Sequence, residues 1–336
     1  METKLLENKL KESGSSGNLY LGIDVGSVST KIAIINEDRE LVFGTWSRSQ
    51  GSPVQSTQES FGNLGEILGD DVGCRIMGAG TTGSARYLVK AIVGADIAKT
   101  EIICQAVATS SYMPEVRTIL EIGGQDNKVI LMKDGIITDF AMNSICAAGT
   151  GSFLDHQANR LGIPIEKFGD YAAKSKVDVA IAGRCTVFAE SDMVHKQQMG
   201  HSKEDIIAGL CEALARNYLN NVCKGKKLHP PVAFQGGVAA NSAIRKAFRK
   251  ELGCEINVHK YFLVMGAIGA AMLAREQVRA ENLKTGFRGF KVSKTKFIPK
   301  AFNCQSCNNR CEITYVQELV GEIVARWGDR CGKWTL

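Results

Sequence analysis

The chain has 336 residues, 44% hydrophobic and 23% charged, a composition ordinary for a folded protein of about two domains, which excludes disordered and fibrous classes. Its net charge of +6 comes from residues 284–336, with ten basic and four acidic side chains, and the neutral remainder argues against a general nucleic-acid binder. Since we find neither a run of about 18 uncharged apolar residues nor a signal peptide, we expect a cytoplasmic protein without a membrane partner.

The first part of the chain predicts one lobe. Residues 1–18 have the pattern of a short charged helix followed by a Ser/Gly linker. Apolar runs separated by short turns then predict strands at 19–24, 31–35, 41–44 and 75–78. An Ala-rich stretch over 84–110 predicts a helix. We assign residues 19–112 to this N-terminal lobe.

The same pattern restarts about 100 residues later. Strands are predicted at 117–122, 128–132, 136–140 and 232–235, and helices at 151–162, 186–199, 203–223 and 263–283. The repeated order of strand, acidic turn, strand, turn and strand predicts a second, similar lobe over 113–283, with a cleft between the lobes. The last helix could pack back on the first lobe, and a basic tail would occupy 284–336.

Three glycine-rich turns follow predicted strands, at 24–31, 121–128 and 236–241. Glycine lets the backbone approach an anion closely, and neighbouring hydroxyl and ammonium groups add donors for phosphate oxygens. Asp24, at the end of its strand, could hold Mg²⁺ through water, whereas Lys31 could instead point to solvent. Any one turn is equally well explained as a plain hairpin, but three in matching positions favour a nucleotide site. Neither a Walker loop nor a dinucleotide fingerprint is found.

Five motifs in chain order carry a family resemblance. They are Gly22–Ser27, Gly123–Asp126, Cys146–Gly151, Cys185–Ser191 and Gly236–Ala239. Together they resemble the ATP-dependent activators of 2-hydroxyacyl-CoA dehydratases, which are related to the ATPase subunits of benzoyl-CoA reductase. The resemblance covers about residues 19–280 and implies an α/β, two-lobed actin-like ATPase with two ribonuclease-H-like lobes. Glu121 departs from the pattern, in which an Asp is expected.

This resemblance also implies the cofactors and the site residues. The turns at 24–31 and 121–128 would bind Mg²⁺ and the phosphates of ATP or ADP, and 236–241 would line the adenosine pocket. The implied cofactor-binding residues are Gly26, Ser27, Ser29, Thr30, Lys31, Gly123, Gly124, Lys128, Gly149, Thr150, Gly151, Gly236, Gly237 and Asn241. Gln125 or Asp126 would position the hydrolytic water, with Asp24 on the metal. Glu101 either faces the cleft or is a solvated surface charge.

Two of the eleven cysteines, Cys146 and Cys185, each precede a predicted helix. A helix N-terminus favours thiolates and a negatively charged cluster, although both residues could instead be small buried hydrophobic groups. A 4Fe–4S cluster usually takes about four thiolates, which two chains related by a twofold axis would supply. We therefore predict a homodimer with one shared cluster, which the family resemblance also implies.

The resemblance implies an ATP-hydrolysing activator in which lobe movement alters the surroundings of the cluster. An electron would then pass at low potential to a dehydratase-like or reductase-like iron–sulfur partner, and a ferredoxin-like or flavodoxin-like protein would be the donor. Two other functions stay open. A small-molecule kinase would use Asp126 or Asp139 as base but leaves Cys146 and Cys185 without a role. A chaperone-like ATPase would dock through its basic tail and predicts no iron.

A cysteine motif closes the chain: Cys304-x2-Cys307-x3-Cys311, and after 19 further residues Cys331. Four cysteines with two short spacings are typical of a metal site, either zinc in a four-thiolate site or a second iron–sulfur cluster. The second C-x2-C pair of a zinc ribbon is missing, and the redox function that the resemblance implies slightly favours the cluster. Unligated thiols are the remaining alternative.

Overall fold

In a computed structural model, the structure describes residues 3–8, 17–49, 51–143, 149–182, 185–318, 321 and 323–334. The chain divides into two compact units. Unit 1 combines Met1–Ala108 with Gly266–Leu336, and unit 2 is Thr109–Met265. Among the described residues, no helix is both long and apolar enough to cross a bilayer.

Unit 1 contains a six-stranded sheet of order β1-β4-β3-β2-β5-β6. Its strands are β1 Thr3–Asn8, β2 Leu19–Val25, β3 Ser29–Ile35, β4 Leu41–Arg48, β5 Ile76–Thr82 and β6 Ile97–Ala98. The strands β1, β4, β3 and β2 are each antiparallel to the next in the sheet, whereas β2, β5 and β6 are parallel. The predicted helix in residues 1–18 is wrong for Thr3–Asn8. This segment is an edge strand because its backbone pairs with β4, which outweighs its local helix propensity.

Three helices accompany this sheet along the chain, α1 Pro53–Cys74, α2 Arg86–Val93 and α3 Glu101–Tyr112. The sequence pattern does not predict α1, which begins where Ser52 accepts a hydrogen bond from the backbone of Gln55 at 3.3 Å. The single helix predicted over 84–110 is wrong. Gly94 ends α2 in a left-handed conformation, and β6 separates it from α3.

The last helix, α9 Met265–Glu281, lies directly on the sheet of unit 1. A Cβ atom on Gly22 would fall 1.8 Å from the carbonyl oxygen of Ala267, and one on Gly80 would fall 2.3 Å from that of Ala270. Small residues on both surfaces therefore let the helix backbone touch the strands. This contact accounts for the Ala- and Gly-rich composition of α9.

Unit 2 contains a five-stranded sheet of order β11-β10-β7-β8-β9. Its strands are β7 Thr118–Ile122, β8 Asn127–Lys133, β9 Ile136–Asn143, β10 Val232–Gln235 and β11 Ile256–Asn257. Counted from β9, two antiparallel pairings are followed by two parallel ones. The segment β4-β3-β2-β5-β6 has the same order and directions, so the repeat predicted from the sequence is confirmed at the level of topology.

The helices of unit 2 are α4 Gly151–Leu161, α5 Phe168–Ala172, α6 Thr186–Gln198, α7 Lys203–Asn221 and α8 Ser242–Leu252. They share one hydrophobic core with the sheet. At its centre the ring of Phe248 meets those of Tyr218 and Phe234 edge-on, at 5.4 and 5.2 Å between centroids.

The basic tail belongs to unit 1 and is not an irregular appendage. After α9, a short 3-10 helix at Phe290–Lys294 leads to β12 Phe297–Asn303, β13 Glu312–Glu318 and β14 Ile323–Trp327, which form an antiparallel sheet. Phe290 packs edge-on against Phe61 of α1. Asp96 accepts hydrogen bonds from Thr285 at 2.8 Å and from the amide of Gly286 at 2.9 Å. These contacts fasten the start of the tail.

Candidate nucleotide and thiol sites

The turn between β2 and β3 presents the first candidate site, at the carboxyl end of parallel strands. Asp24 is buried, and the ammonium group of its cross-strand partner Lys31 donates to its Oδ2 at 2.9 Å. Lys31 thus points at Asp24 and not at bulk solvent. A Cβ atom on Gly266 would lie 2.9 Å from the same oxygen, so the first turn of α9 also confines this carboxylate. Gly266 is not among the residues predicted from the sequence, because only the folded chain brings it to Asp24.

The predicted phosphate donors of this turn divide into two groups. The amide of Gly26 donates to the carbonyl oxygen of Ser29 at 3.0 Å and closes a tight turn, with Ser27 exposed at its tip. Thr30, in contrast, is buried, and its hydroxyl group is hydrogen-bonded to Ser56 of α1. Thr30 therefore connects the turn to α1, while Gly26, Ser27 and Ser29 lie where a phosphate group could reach them.

The equivalent turn of unit 2, between β7 and β8, carries two acidic groups and one basic group. Lys128 is only 2% exposed, and its ammonium group lies 3.0 Å from Oε2 of Glu121 and 2.7 Å from Oδ1 of Asp126. One positive charge between two carboxylates leaves the turn with a net negative charge. Oxygen ligands with excess negative charge are suited to Mg²⁺. Glu121, although longer than the expected Asp, also brings its carboxylate within 3.0 Å of the Lys128 ammonium group.

This turn is joined to the start of α4. The amide of Gly151 donates to the carbonyl oxygen of Gly123 at 2.9 Å, and that of Ser152 donates to Gly124 at 2.8 Å. The predicted role of Gly151 as a phosphate donor stays a prediction, since its amide is already used here. Gln125 is exposed at the tip of the turn.

Gly149 and Thr150 are both buried just before α4. Asn127 donates to the carbonyl oxygen of Gly149 at 2.9 Å, and a Cβ atom on Gly149 would fall 2.6 Å from that same amide group. A glycine is required at this position because the Asn127 side chain occupies the space.

The third turn follows β10, whose last residue Gln235 pairs with Glu121. Gly236 has a φ of 88°, and a Cβ atom there would lie 2.3 Å from the carbonyl oxygen of Ile122. Gly237 is exposed and has open space around its Cα. Asn241 caps α8 by accepting from the amides of Ala243 and Ile244 at 2.9 and 3.2 Å, so its side-chain oxygen has a structural use.

Cys185 occupies the N-cap position of α6 and is half-buried. The next two described side chains, Val187 and Phe188, are 68% and 66% exposed. A thiol at a helix N-terminus therefore lies on an apolar surface. Cys146 lies outside the described residues, so its pairing with Cys185 stays a prediction.

Comparisons with known proteins show which family this chain belongs to. The sequence profile described as the BadF/BadG/BcrA/BcrD ATPase family matches residues 21–274. The chain belongs to this family. It is 36% identical over 257 residues to the (R)-2-hydroxyglutaryl-CoA dehydratase activating ATPase of Acidaminococcus fermentans, covering 76% of this chain and 96% of that protein.

Solved structures of such activators resemble this family member closely. The crystal structure of component A of the A. fermentans (R)-2-hydroxyglutaryl-CoA dehydratase matches with a TM-score of 0.71 and 35% identity, over 78% of this chain and 99% of that one. The activator of the Clostridium difficile 2-hydroxyisocaproyl-CoA dehydratase with bound ADPNP matches with a TM-score of 0.70 and 31% identity, over 79% and 97%. The predicted α/β fold of the actin-like ATPases is confirmed.

The remaining cysteines of the family region contribute to the core or the surface. Burial raises the pKa of Cys104, Cys211 and Cys223 to about 12 each, so these thiols stay protonated and unreactive at neutral pH. Cys254 is half-buried and Cys74 is exposed.

Both carboxylates considered for kinase chemistry already have a lysine partner. Asp126 is ion-paired with Lys128, and a hydrogen bond from Lys226 lowers the pKa of Asp139 on the exposed strand β9. Glu101 is half-buried in the first turn of α3, so it is not a fully solvated surface charge. An acidic side chain there interacts favourably with the helix dipole.

Proposed function

We propose that this chain is an ATP-hydrolysing electron-transfer activator. It would drive the low-potential, one-electron reduction of an iron–sulfur partner enzyme of the 2-hydroxyacyl-CoA dehydratase type. The observation that carries the proposal is the half-buried thiol of Cys185 at the start of α6, beside the exposed Val187 and Phe188. A small-molecule kinase of the same fold would have no use for this arrangement.

The two hairpin turns would supply groups for ATP hydrolysis, each in its own unit. In unit 1, the hydroxyls of Ser27 and Ser29 would bind phosphate oxygens, and Asp24 would hold a water ligand of Mg²⁺. In unit 2, the net negative charge around Lys128 would attract the same kind of cation. Gln125, which is exposed beside Asp126, would orient a water molecule by hydrogen bonding.

The thiols fit a cluster shared between two chains. Cys185 is accessible enough to ligate, and the N-terminus of α6 stabilises negative charge next to it. Cys146 and Cys185 of each chain of a homodimer would together supply the four thiolates that a 4Fe–4S cluster takes, about two irons per chain. When bound, the cluster supplies a one-electron carrier. A ferredoxin-like or flavodoxin-like protein would deliver the electron, and the dehydratase-like partner would accept it.

An apolar surface on unit 2 supports the homodimer. On the edge strand β9, Phe140 and Met142 are each 52% exposed, and as the partners of Ile130 and Lys128 they lie on one face. Ile136, which precedes an irregularity in the strand pairing, is 69% exposed. The strand ends at Asn143, directly before the segment that contains Cys146. Exposed apolar groups in such number are typical of protein contacts.

Contacts within unit 2 would transmit a change at the phosphate to the thiols. The turn at 121–128 is hydrogen-bonded to the start of α4, which follows the segment with Cys146. Glu190 of α6 contacts His156 of α4 at 3.3 Å and is ion-paired with Arg160 of the same helix. Because Glu190 joins α4 to α6, a shift of α4 would also move the helix that starts at Cys185.

The experiment compares Cys185→Ser with Cys254→Ser, a matched control in the same unit. Protein is purified without oxygen, and iron, acid-labile sulfide and ATP hydrolysis are measured. We expect about two irons per chain in the wild type and in the control, and loss of iron from Cys185→Ser, which should still bind ATP. A wild type that binds no iron after anaerobic reconstitution would overturn the redox function and favour phosphoryl transfer to a small molecule.

A further inference from the structure

The sheet formed by β12, β13 and β14 places four cysteines at one of its ends. The loop 304–311 joins β12 to β13, next to the pair Asn303 and Glu312. The strand β14 runs towards the same end, since its last residue Trp327 pairs with Thr314. The chain then continues into the segment 328–334, which carries Cys331. The topology therefore brings this residue to the loop that holds Cys304, Cys307 and Cys311.

Direct contacts hold the last segment against the loop. The indole Nε1 of Trp334 donates to the Sγ of Cys304 at 3.2 Å, and the ammonium group of Lys333 donates to the hydroxyl of Ser306 at 2.7 Å. The Trp334 ring also packs edge-on against Phe302, 5.1 Å between centroids. These contacts connect residues separated by about 30 positions, so the segment with Cys331 is seated on the loop.

The sulfur of Cys304 accepts two hydrogen bonds, as the thiolate ligand of a metal often does. This residue is buried, and besides the indole contact its Sγ accepts a hydrogen bond from the amide of Ser306 at 3.4 Å. The amide of Cys304 itself donates to the carbonyl oxygen of Cys311 at 2.8 Å and closes the loop. Two N–H donors on one sulfur compensate the charge of a thiolate, as outer-shell hydrogen bonds do in metal sites.

Basic side chains outnumber acidic ones beside the four thiols, where Cys331 donates to the carboxylate of Asp329 at 3.9 Å and Glu312 follows Cys311. Arg326 and Lys333 both lie over the Trp334 ring, at 5.9 and 5.5 Å from its centroid. Arg310 and Arg330 are each adjacent in sequence to one of the cysteines. Four thiolates around a divalent cation carry a net charge of about −2, which such groups would balance.

We propose that Cys304, Cys307, Cys311 and Cys331 bind one structural Zn²⁺ ion. The redox function that the family resemblance implies slightly favours an iron–sulfur cluster, but Cys307 and Cys331 are exposed, which suits redox-inert zinc better than an oxygen-sensitive cluster. Six of the seven residues of β12 are also exposed, although Ile313 and Val316 of β13 are buried. A metal crosslink at the cysteine end of the sheet would add stability there.

Zinc binding would draw the thiols together. Among the described residues, no three of these sulfur atoms lie within 4.8 Å of one another, so their side chains would turn inwards around the ion. The site lies beyond residue 274, where the family match ends, and it does not depend on the proposed electron transfer.

The first experiment measures zinc and iron in the full-length protein purified without chelator. We expect about one zinc per chain, lost from Cys307→Ser and Cys331→Ser and retained in Cys74→Ser, which removes another exposed thiol. Cys185→Ser should lose iron and keep zinc, so failure of the proposed function and failure of this site are distinguishable. Zinc retained in Cys331→Ser, or iron lost from it in place of zinc, would overturn the proposal.

A second measurement uses only the wild-type chain, in case the variants fold poorly. Chelator-treated protein is titrated with Co²⁺ under reducing conditions. We expect the thiolate charge-transfer and visible bands of tetrahedral cobalt to saturate at about one ion per chain and to disappear on addition of Zn²⁺. A titration that produces no such bands would overturn the site.

Discussion

The ammonium group of Lys128 lies 3.0 Å from Oε2 of Glu121, its cross-strand partner on β7. The same relationship joins Lys31 to Asp24 in unit 1, at 2.9 Å. In both units a strand-end carboxylate is thus held by a lysine on the following strand. Because the strand order is also repeated, we infer that both units fix the carboxylate at the candidate phosphate turn in the same way.

Replacement of Lys128 by Met should destabilise unit 2 strongly. The change would leave the buried Glu121 without its cation and would remove the partner of Asp126. Loss of one partner from a buried ion pair lowers the free energy of unfolding by roughly 3–5 kcal/mol. The measurement is the urea unfolding curve of the purified protein.

The control for this prediction is Lys250→Met. Lys250 pairs with Glu212 at 2.9 Å, but its side chain is 62% exposed and that of Glu212 is 32% exposed. Exposed pairs contribute little to stability, so the unfolding midpoint should stay nearly unchanged. Equal losses of stability in the two variants would contradict a stabilising role of the buried Lys128 ion pairs.

Asp205 should make unit 2 sensitive to acid. Its carboxylate accepts hydrogen bonds from the hydroxyls of Ser202 and Ser175 and from the amides of Lys176 and Val177, which lower its pKa below the ordinary value of 3.8. A lowered pKa in the folded state means that the stabilisation is present above the unfolded-state pKa. It is lost as the pH falls below about 4.

The test for Asp205 is the pH dependence of unfolding in the wild type and in Asp205→Asn. We expect the variant to be less stable at pH 7 and the difference to shrink as the pH falls below about 4. A difference in stability between the two proteins that is independent of pH would show that the charge of Asp205 does not stabilise the fold.

Two Gly→Ala changes in unit 1 should have opposite effects on stability, because only one of these glycines lies in the contact between α9 and the sheet. In Gly22→Ala the new methyl group would overlap the backbone of Ala267, so we expect a loss of at least about 1–3 kcal/mol. In Gly62→Ala, inside α1, the nearest atom is 3.8 Å away, and the higher helix propensity of Ala should add up to about 1 kcal/mol. Thermal unfolding of both variants checks the sign, and a neutral Gly22→Ala would contradict the close packing.

Local patterns were sufficient to predict the repeated strands and the three glycine turns. Alternating apolar runs and glycines are visible in the sequence, and the break at Gly94 could have been found from its helix-ending character. Other features depend on distant parts of the chain. Thr30 faces Ser56 only because α1 packs there, Gly266 meets Asp24 only through α9, and Thr3–Asn8 is a strand only because β4 offers an edge.

The last prediction concerns the turn at 236–241, expected to line the adenosine pocket. Gly237 has open space around its Cα, so Gly237→Ala should fold with an unchanged melting temperature. If ATP approaches this backbone, the added methyl group should weaken binding of a non-hydrolysable ATP analogue by about tenfold, or 1.4 kcal/mol. Gly236→Ala should instead lower the melting temperature, because its φ of 88° and the carbonyl of Ile122 leave no room for a side chain. Calorimetric titration and thermal unfolding separate the two effects, and unchanged affinity in Gly237→Ala would remove this turn from the nucleotide site.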